Sequence, residues 1–581
     1  MRSSPTEDAD NMNAVKRFLH PTGRRALVSL LLASLVLVAC WHGSVQANDT
    51  SRGTDRQQFL DGLKILGSVY ERVFYNYVED IDAYQLLEAG IGGMLDYLDE
   101  HTQYLPPSYY EDLMMSTEGE FGGLGITINI RDHYPTVVSP IEGTPAFLMG
   151  IQGGDKIIEI EGESTLDFTS SDAVELLRGN PGTQVTITIE REGLDAPFPL
   201  TITRDIIHVD SVPYAFMIDD IGYIRVASFS RTTTDELVEK LTELEAQGAR
   251  GLILDLRWNP GGLLEAANGV SELFLGDGDL IVYTKGRLRN QNRSYYAETP
   301  ARPRRTDLPT IVMVNGSSAS ASEIVSAAIQ DHDLGMVVGK TTFGKGTVQT
   351  VFPLSDDRAL KLTTAKYYTP SGRSIHKDRH EDDSDLDLTE APDEAQGDAA
   401  EIESDIPREE KEKFSTDAGR IVYGGGGITP DIEIEQPFLD DFEVALERDG
   451  ALFSFATTWS AHHEVSGDVV VDETMLQAFS EHLATRENID EYLGVYDLVR
   501  TDALLAENED YIRQGIRREL MRRNFGPEAA YKVAIEDDVQ LQETLEIFKR
   551  ARTTQDLFSI AAEWEAERVA SSEAETETAV Q

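Results

Sequence analysis

Residues 251–262 read G-L-I-L-D-L-R-W-N-P-G-G, an apolar run of strand length that ends in a glycine-rich turn. The run predicts a buried parallel strand, and a helix is expected to begin near Leu263. A second apolar run at residues 310–314 extends this pattern, which predicts a β/α region over residues 207–435. Gly261 and Gly262 either form a simple tight turn or aim their N–H groups at a site above the sheet edge, where they would stabilise an oxyanion.

The second strand leads into N-G-S-S-A-S-A-S-E-I, residues 315–324, which contains four serines. Ser320 and Glu323 fit a helix capping box, and the small residues between and after them fit close helix packing. The same position suits a nucleophile, because N–H groups at a helix N-terminus stabilise developing negative charge. The residues alone leave both interpretations open.

A nucleophile needs a base, and F-G-K-G-T-V-Q-T, residues 343–350, offers one. The glycines beside Lys345 allow close backbone approach, and burial among apolar neighbours would lower the pKa of this lysine toward the range of a general base. Gln349 lies on the same face as Lys345 if the segment is extended, so it could hold the amine in position. The alternative is an exposed lysine in a turn.

A separate glycine-punctuated region covers residues 116–206 and contains F-G-G-L-G-I at residues 121–126. A turn of this composition exposes successive backbone N–H groups, so a carboxylate can approach them closely. The strand that follows could pair with an extended peptide. These features predict a groove for the C-terminus of another chain, formed by Gly123, Leu124, Gly125 and Ile126.

Further motifs carry a resemblance to known families. With G-D-K-I-I-E-I at residues 154–160 and R-G-N-P-G-T-Q-V at residues 178–185, the region around the G-L-G-I turn resembles a bacterial PDZ domain. D-L-R-W-N-P-G-G, S-A-S-A-S-E and G-K-G-T-V-Q then make the chain similar to the carboxyl-terminal processing peptidases, also called tail-specific proteases. L-D-E-H at residues 98–101 resembles the L-D-P-H of that family, with Glu100 in place of proline.

The resemblance implies a serine peptidase with a crotonase-like ββα core that acts without metal or organic cofactor. It implies that Ser320 is the nucleophile, Lys345 the general base and Gln349 the supporting residue. The oxyanion hole would combine the N–H of Ala321 with that of a glycine in N-P-G-G, Gly261 or Gly262.

The activity implied is that of an exported serine endopeptidase, which binds proteins or peptides by their apolar C-termini through its PDZ domain and cleaves near those ends. Two alternatives are a catalytically inactive PDZ scaffold and an envelope-binding lipoprotein. The complete Ser-Lys-Gln set argues against the scaffold, and no aromatic-rich binding stripe supports the lipoprotein. A homo-oligomer or an adaptor is left open as a partner.

The length and the net charge of the chain limit the classes of partner and the domain organisation. The 581 residues carry a formal net charge of −52, which disfavours nucleic acid and anionic membrane surfaces as partners. The length predicts a multidomain α+β protein, with further helical regions at residues 56–115 and 436–570 and a disordered tail at residues 571–581. An insertion at residues 377–415 is rich in Asp and Glu and predicts a solvated loop.

The N-terminus predicts a targeting signal, because two arginines precede an apolar run over residues 26–39. A lipoprotein signal over residues 1–39 would leave a lipidated Cys40, whereas an ordinary signal over residues 1–47 would be cleaved after Ala47. Cys40 is the only cysteine, which excludes an intramolecular disulfide and favours the lipoprotein signal. Both predict export to the periplasm, with membrane contact only through the signal or the lipid.

Overall fold

The structure is a computed structural model that describes residues 52–298, 308–355, 357–377, 411–486 and 488–579. The predicted signal peptide and Cys40 lie outside the described residues, as does most of the predicted acidic insertion. Among the described helices, none has the length and apolar character needed to cross a membrane. The chain divides into two compact units, residues 1–94 and residues 95–581.

The described part of the first unit is a pair of helices, α1 (Arg52–Asn76) and α2 (Ala83–Leu95). The Tyr70 hydroxyl donates to the Ala83 carbonyl at 2.6 Å, which links the two helices. The predicted helical periodicity is confirmed for α1, but its apolar residues Phe59, Leu63 and Val69 remain exposed.

The second unit begins with a short strand and a helix, β1 (Gln103–Leu105) and α3 (Pro107–Glu118). Residues 56–115 are therefore not helical throughout. Pro107 occupies the first turn of α3, where its missing N–H costs no hydrogen bond, so the Pro-Pro pair begins a helix.

The PDZ-like region consists of a six-stranded antiparallel sheet, a separate two-stranded sheet and two short helices. Its elements are β2 (Glu120–Gly123), β3 (Ile126–Arg131), β4 (Tyr134–Pro140), α4 (Pro145–Leu148), β5 (Lys156–Ile160), β6 (Glu163–Ser164), α5 (Ser170–Leu177), β7 (Gln184–Glu190), β8 (Phe198–Thr203) and β9 (Asp205–His208). The strand order is β3-β4-β5-β7-β8, with β6 paired to β5, so β3 lies at an edge. Val185, Ile187 and Ile189 alternate along β7 and point into a core of their own.

The region after the PDZ-like domain contains two main sheets and one two-stranded sheet. Its elements are β10 (Tyr214–Ile218), β11 (Ile221–Arg225), α6 (Thr233–Ala246), β12 (Gly251–Asp255), α7 (Leu264–Ser271), β13 (Leu280–Gly286), β14 (Arg293–Tyr296), β15 (Thr310–Val314), α8 (Ala321–Asp331), β16 (Gly335–Gly339), β17 (Thr347–Pro353), β18 (Ala359–Tyr368), β19 (Lys413–Ser415), β20 (Ile421–Tyr423) and β21 (Ile432–Glu433). The strands predicted at residues 251–257 and 310–314 are confirmed as β12 and β15, and every residue of both is buried.

The larger sheet has the order β10-β11-β12-β15-β16-β21, and all its pairings except β10 with β11 are parallel. Its carboxyl edge carries the turns that follow β12 and β15. The smaller sheet, β1-β18-β13-β14 with β17 paired to β18, is antiparallel. It supports the Lys345 turn, which directly precedes β17.

The C-terminal region is helical. Its helices are α9 (Asp441–Asp449), α10 (Ala451–His462), α11 (Glu473–Leu483), α12 (Ile489–Val495), α13 (Asp502–Glu507), α14 (Glu509–Phe525), α15 (Pro527–Ala534), α16 (Val539–Arg550) and α17 (Thr554–Ala579). The predicted helix at residues 539–550 is confirmed as α16, whereas the one at residues 489–500 ends at Val495. Residues 571–579 are part of α17, and the disorder expected of this tail stays a prediction.

The C-terminal helices fall into two packing groups. Helices α9 to α14 enclose a core of their own, which includes Phe442 and Phe455. Helices α15 to α17 instead cover the face of the larger sheet opposite α6 to α8, where Leu541 and Phe548 join a cluster with Ile253. The last three helices therefore complete the core of the β/α region, whereas the helices that directly follow residue 436 pack among themselves.

Candidate active site

Ser320 lies in the turn between β15 and α8, with a φ of +53° that is rare for a residue other than glycine. Its neighbours Ser318 and Ser322 are buried, and their hydroxyls donate to the carbonyls of Leu256 at 2.8 Å and Asn259 at 3.0 Å. The Ser320 hydroxyl makes no capping hydrogen bond, and the residue lines a cleft of about 1320 Å³. Among these three serines, Ser320 is the one with a hydroxyl left available to a bound molecule.

Glu323, the other member of the predicted capping box, is fully buried and joins two loops. Its carboxylate accepts from the N–H groups of Ser320 at 2.7 Å, Gly344 at 2.8 Å and Lys345 at 3.0 Å, and from the Thr342 hydroxyl at 2.6 Å. Burial raises the pKa of Glu323 to about 7, although these hydrogen bonds oppose the rise. The carboxylate therefore sets the spacing between the Ser320 turn and the Lys345 turn.

Lys345 is half-buried and lines the same cleft as Ser320. The Tyr367 hydroxyl lies within hydrogen-bond distance of the backbone oxygens of both residues, so it forms a second connection between the two turns. Burial lowers the pKa of Lys345, the positive charge of Lys361 lowers it further, and nearby carboxylates including Glu323 oppose the change. The Ser320 hydroxyl and the Lys345 amine do not hydrogen-bond to each other in this structure, a looseness common in unliganded sites.

Gln349 lines the cleft, but its hydrogen bonds run away from Lys345. Its amide nitrogen donates to the Thr347 hydroxyl at 2.9 Å and the Thr363 hydroxyl at 3.4 Å. Thr363 in turn donates to Asp99 at 3.0 Å. The side chain thus belongs to a polar chain that connects β17, β18 and the L-D-E-H segment.

The two glycines after β12 differ in what their N–H groups do. The Gly261 N–H donates to the Asn259 side-chain oxygen at 2.9 Å, while the Gly262 N–H has no partner in the described part of the chain. Gly261 lies against the nucleophile turn, because a Cβ added there would stand 2.8 Å from the Ser320 Cβ. Ala321 is the first residue of α8, so its N–H lacks an intrahelical acceptor. Gly262 and Ala321 are therefore the residues with donors available near Ser320.

The G-L-G-I turn opens onto a second groove. The carbonyls of Leu124 and Gly125 accept from Ala146 at 3.0 Å and Ile141 at 2.9 Å, whereas the N–H groups of Leu124 and Gly125 have no partner within the described ranges. The edge strand β3 begins at the next residue, Ile126, beside these donors. The groove is lined by Phe121, Gly123, Leu124, Gly125, Ile126, Ile128, Val174, Leu177 and Arg178. An unpaired turn next to a free strand edge fits an extended chain that ends in a carboxylate.

Five residues had no predicted site role: Lys361 and Tyr367 line the cleft, whereas Glu323, Thr363 and Asp99 belong to hydrogen-bond networks that reach its lining residues. Glu323 and Asp99 were visible only as parts of the capping box and of L-D-E-H. Lys361 and Thr363 recur at period two in K-L-T-T-A-K-Y, residues 361–367, which predicts one shared face of a strand. This alternation was a signal for these two residues, whereas the register shifts before Ala365, so period two does not extend to Tyr367.

Comparisons with known proteins match two domains of the chain and several relatives. A model of peptidase family S41 matches residues 220–386, and a PDZ domain model matches residues 136–191. The chain is 42% identical over 349 residues to a carboxy-terminal-processing protease of Bartonella bacilliformis, covering 59% of this chain and 77% of that protein. It is 37% identical over 313 residues to carboxy-terminal processing protease CtpA of Bacillus subtilis, covering 54% and 66% of the two chains. A solved photosystem II D1 C-terminal processing protease is 31% identical over 52% of this chain and 83% of that chain, with a TM-score of 0.31.

Proposed function

Because this chain belongs to the carboxy-terminal processing proteases of peptidase family S41, we propose that Ser320 and Lys345 form its catalytic dyad. One observation carries the assignment. An uncommitted serine hydroxyl at a helix N-terminus and a half-buried lysine line one cleft, and Glu323 and Tyr367 join the turns that present them.

The chemistry begins with the neutral form of Lys345, which its lowered pKa makes more abundant. The amine takes the proton of the Ser320 hydroxyl, and the serine oxygen attacks the carbonyl carbon of the scissile bond. The N–H groups of Gly262 and Ala321 stabilise the resulting oxyanion. The Lys345 ammonium then protonates the leaving amine. A water that gives a proton to the same lysine attacks the acyl-enzyme, and the lysine returns this proton to the Ser320 oxygen as the product acid leaves. Gln349 keeps the supporting role that the resemblance implies, although in this structure its amide donates to Thr347 and Thr363 and not to Lys345.

The substrate class follows from the second groove. The terminal carboxylate of a protein accepts from the N–H groups of Leu124 and Gly125, and the last residues of that protein extend β3 as an added strand. The apolar side chains Ile126, Val174 and Leu177 favour an apolar C-terminus. The substrates are therefore proteins with apolar, unstructured C-terminal ends.

Digestion of an unfolded reporter protein with an apolar C-terminus tests the dyad. Ser320→Ala and Lys345→Ala should each abolish cleavage, while Ser317→Ala and Lys366→Ala, which alter residues outside the dyad, should cleave as the wild type does. Full activity of either dyad variant would refute the assignment of Ser320 and Lys345 as the catalytic dyad. A wild-type protein that binds the tail but cleaves no such reporter would favour the scaffold function.

Export and anchoring form a separate part of the proposal, supported by the apolar run before Cys40. Mass spectrometry of the mature N-terminus distinguishes a lipidated Cys40 from a chain that begins at Asn48. Full-length protein in the cytoplasmic fraction would contradict both the lipoprotein signal and the ordinary signal peptide.

A further inference from the structure

A buried ion cluster connects the strand behind the oxyanion turn to the C-terminal helices. The Arg257 guanidinium donates to both Asp538 oxygens, at 2.9 Å and 2.7 Å, and to Asp255 at 2.8 to 3.1 Å. Arg257 is 3% exposed and Asp255 is fully buried. Asp255 ends β12, whereas Asp538 is the N-cap of α16. The cluster thus joins two segments that are 281 residues apart.

The charges of this cluster balance only when Asp538 is present. Arg225 lies 3.5 Å from Asp255, so two arginines, Arg225 and Arg257, face two carboxylates, Asp255 and Asp538. Removing one carboxylate leaves an uncompensated positive charge in a buried site, which is unfavourable unless the arginine moves. Arg257 is the residue that would move, because it alone bridges both carboxylates.

A displacement of Arg257 reaches the catalytic turns through a short path. The next residue, Trp258, has a φ of +58°, and its N–H donates to the Asn315 side chain at 2.9 Å. Asn259 follows, and its carbonyl accepts from the Ala319 N–H at 3.0 Å, one residue before Ser320. The same asparagine side chain accepts the Gly261 N–H. The turn therefore has little freedom to absorb a shift at its first residue.

Neighbouring contacts reinforce this connection. The Tyr223 hydroxyl donates to Asp255 at 2.6 Å and lies 2.6 Å from the Tyr531 hydroxyl of α15. Gln540 accepts from Arg257 at 3.1 Å and donates to the Ile434 carbonyl at 2.8 Å. Helices α15 and α16 thus contact the end of β12 at several polar points, and not only through apolar packing.

We propose that Asp538 is a positioning residue for the peptidase reaction: it holds Arg257, and through Arg257 it holds the turn that presents the Gly262 N–H to the oxyanion. The inference rests on the oxyanion role given above to Gly262. It makes the C-terminal helices part of the catalytic unit, although they lie outside the segment that matches the S41 model.

The test uses two variants of the full-length protein, Asp538→Asn and Asp538→Ser. Both replacements are good N-cap residues, so α16 keeps its cap while the ion pair is lost. Asp472→Asn is the matched control, because Asp472 caps α11 and has no ion pair among the described residues. For each protein, kcat and KM are measured per titrated active site on a peptide substrate. The Kd of a peptide boronate, which mimics the tetrahedral intermediate, is measured in parallel.

Loss of a whole oxyanion donor costs about 100- to 1000-fold in kcat, so a displaced donor is expected to cost about 10-fold. Both Asp538 variants should therefore show kcat about 10-fold lower, a nearly unchanged KM and boronate affinity about 10-fold weaker, while Asp472→Asn matches the wild type. A purely structural role would reduce the number of titrated sites and leave the boronate affinity of the folded molecules unchanged, which would overturn the inference. A change confined to KM would also overturn the inference. Activity in Ser320→Ala would instead refute the proposed dyad and, with it, the oxyanion role on which this inference rests.

Discussion

Replacing Glu323 by glutamine tests the buried carboxylate that joins the two catalytic turns. One carboxylate oxygen accepts from Ser320 and Lys345, and the other accepts from Gly344 and Thr342. Glutamine offers a single acceptor oxygen, and its NH₂ group can donate to Thr342 if that hydroxyl turns. The Gly344 N–H then loses its acceptor, which costs about 1–3 kcal/mol.

The same substitution removes a buried titratable group. Burial raises the pKa of Glu323 from 4.5 to about 7. Each pKa unit corresponds to about 1.4 kcal/mol, so this shift corresponds to about 3 kcal/mol of stability. Between these two values the folded protein holds a proton that the unfolded chain releases, so the free energy of unfolding of the wild type falls as pH rises and levels off above about pH 7. Glutamine does not titrate. Glu323→Gln should therefore be less stable than the wild type near pH 5 and recover about 3 kcal/mol relative to it by about pH 8.

The assay is urea unfolding from about pH 5 to about pH 8.5, carried out in a Ser320→Ala background so that self-digestion is prevented. Asp172→Asn is the matched control, because Asp172 holds the equivalent position in the exposed capping box of α5 and hydrogen bonds lower its pKa, out of this window. The control should run parallel to the reference protein at every pH. Parallel curves for Glu323→Gln would refute the reasoning, since they would mean that Glu323 does not titrate in this range.

Three further predictions concern the base, the nucleophile turn and the substrate groove. Lys361→Met removes a positive charge that lowers the pKa of Lys345, so the limb of the pH profile of kcat/KM that reports the neutral base should move to higher pH, with activity near neutrality reduced. Gly261→Ala places a Cβ 2.8 Å from the Ser320 Cβ at a φ of +98°, and kcat should fall by at least about 100-fold in an active-site-titrated assay. Gly125→Ala, at a φ of +78°, should weaken binding of a labelled peptide with a free apolar C-terminus by at least about 10-fold in fluorescence anisotropy.

Each of these has a control within the chain. Lys366→Met changes another lysine of β18, one that does not line the cleft, and an equal shift in its pH profile would argue against a direct effect of Lys361. Gly278 and Gly182 also have positive φ, but a Cβ at either would meet no atom within 4 Å. Their alanine variants therefore measure backbone strain alone. Losses equal to those of Gly261→Ala and Gly125→Ala would show that steric contact with the sites is not the cause.

Much of the site was predictable because its signals are local. A continuous apolar run identified β12, the capping-box spacing located the start of α8 at Ser320, and a 3.6-residue period located α16 at residues 539–550. Each of these depends on residues a few positions apart, whose geometry the backbone dictates. The glycine-rich turns at Lys345 and Leu124 were visible for the same reason, since few other residues allow such close backbone approach.

Tertiary packing decided the points that local spacing left open. Which serine keeps an available hydroxyl depends on carbonyls of another turn, at Leu256 and Asn259. Likewise, the Asn259 side chain that occupies the Gly261 N–H is itself held by the Val226 carbonyl, 33 residues away. The link from Arg257 to Asp538 spans 281 residues, and no periodicity extends over such a distance. Contacts of this kind exist only after α15 to α17 close over the sheet, because the pairing of distant charges depends on which faces are buried together.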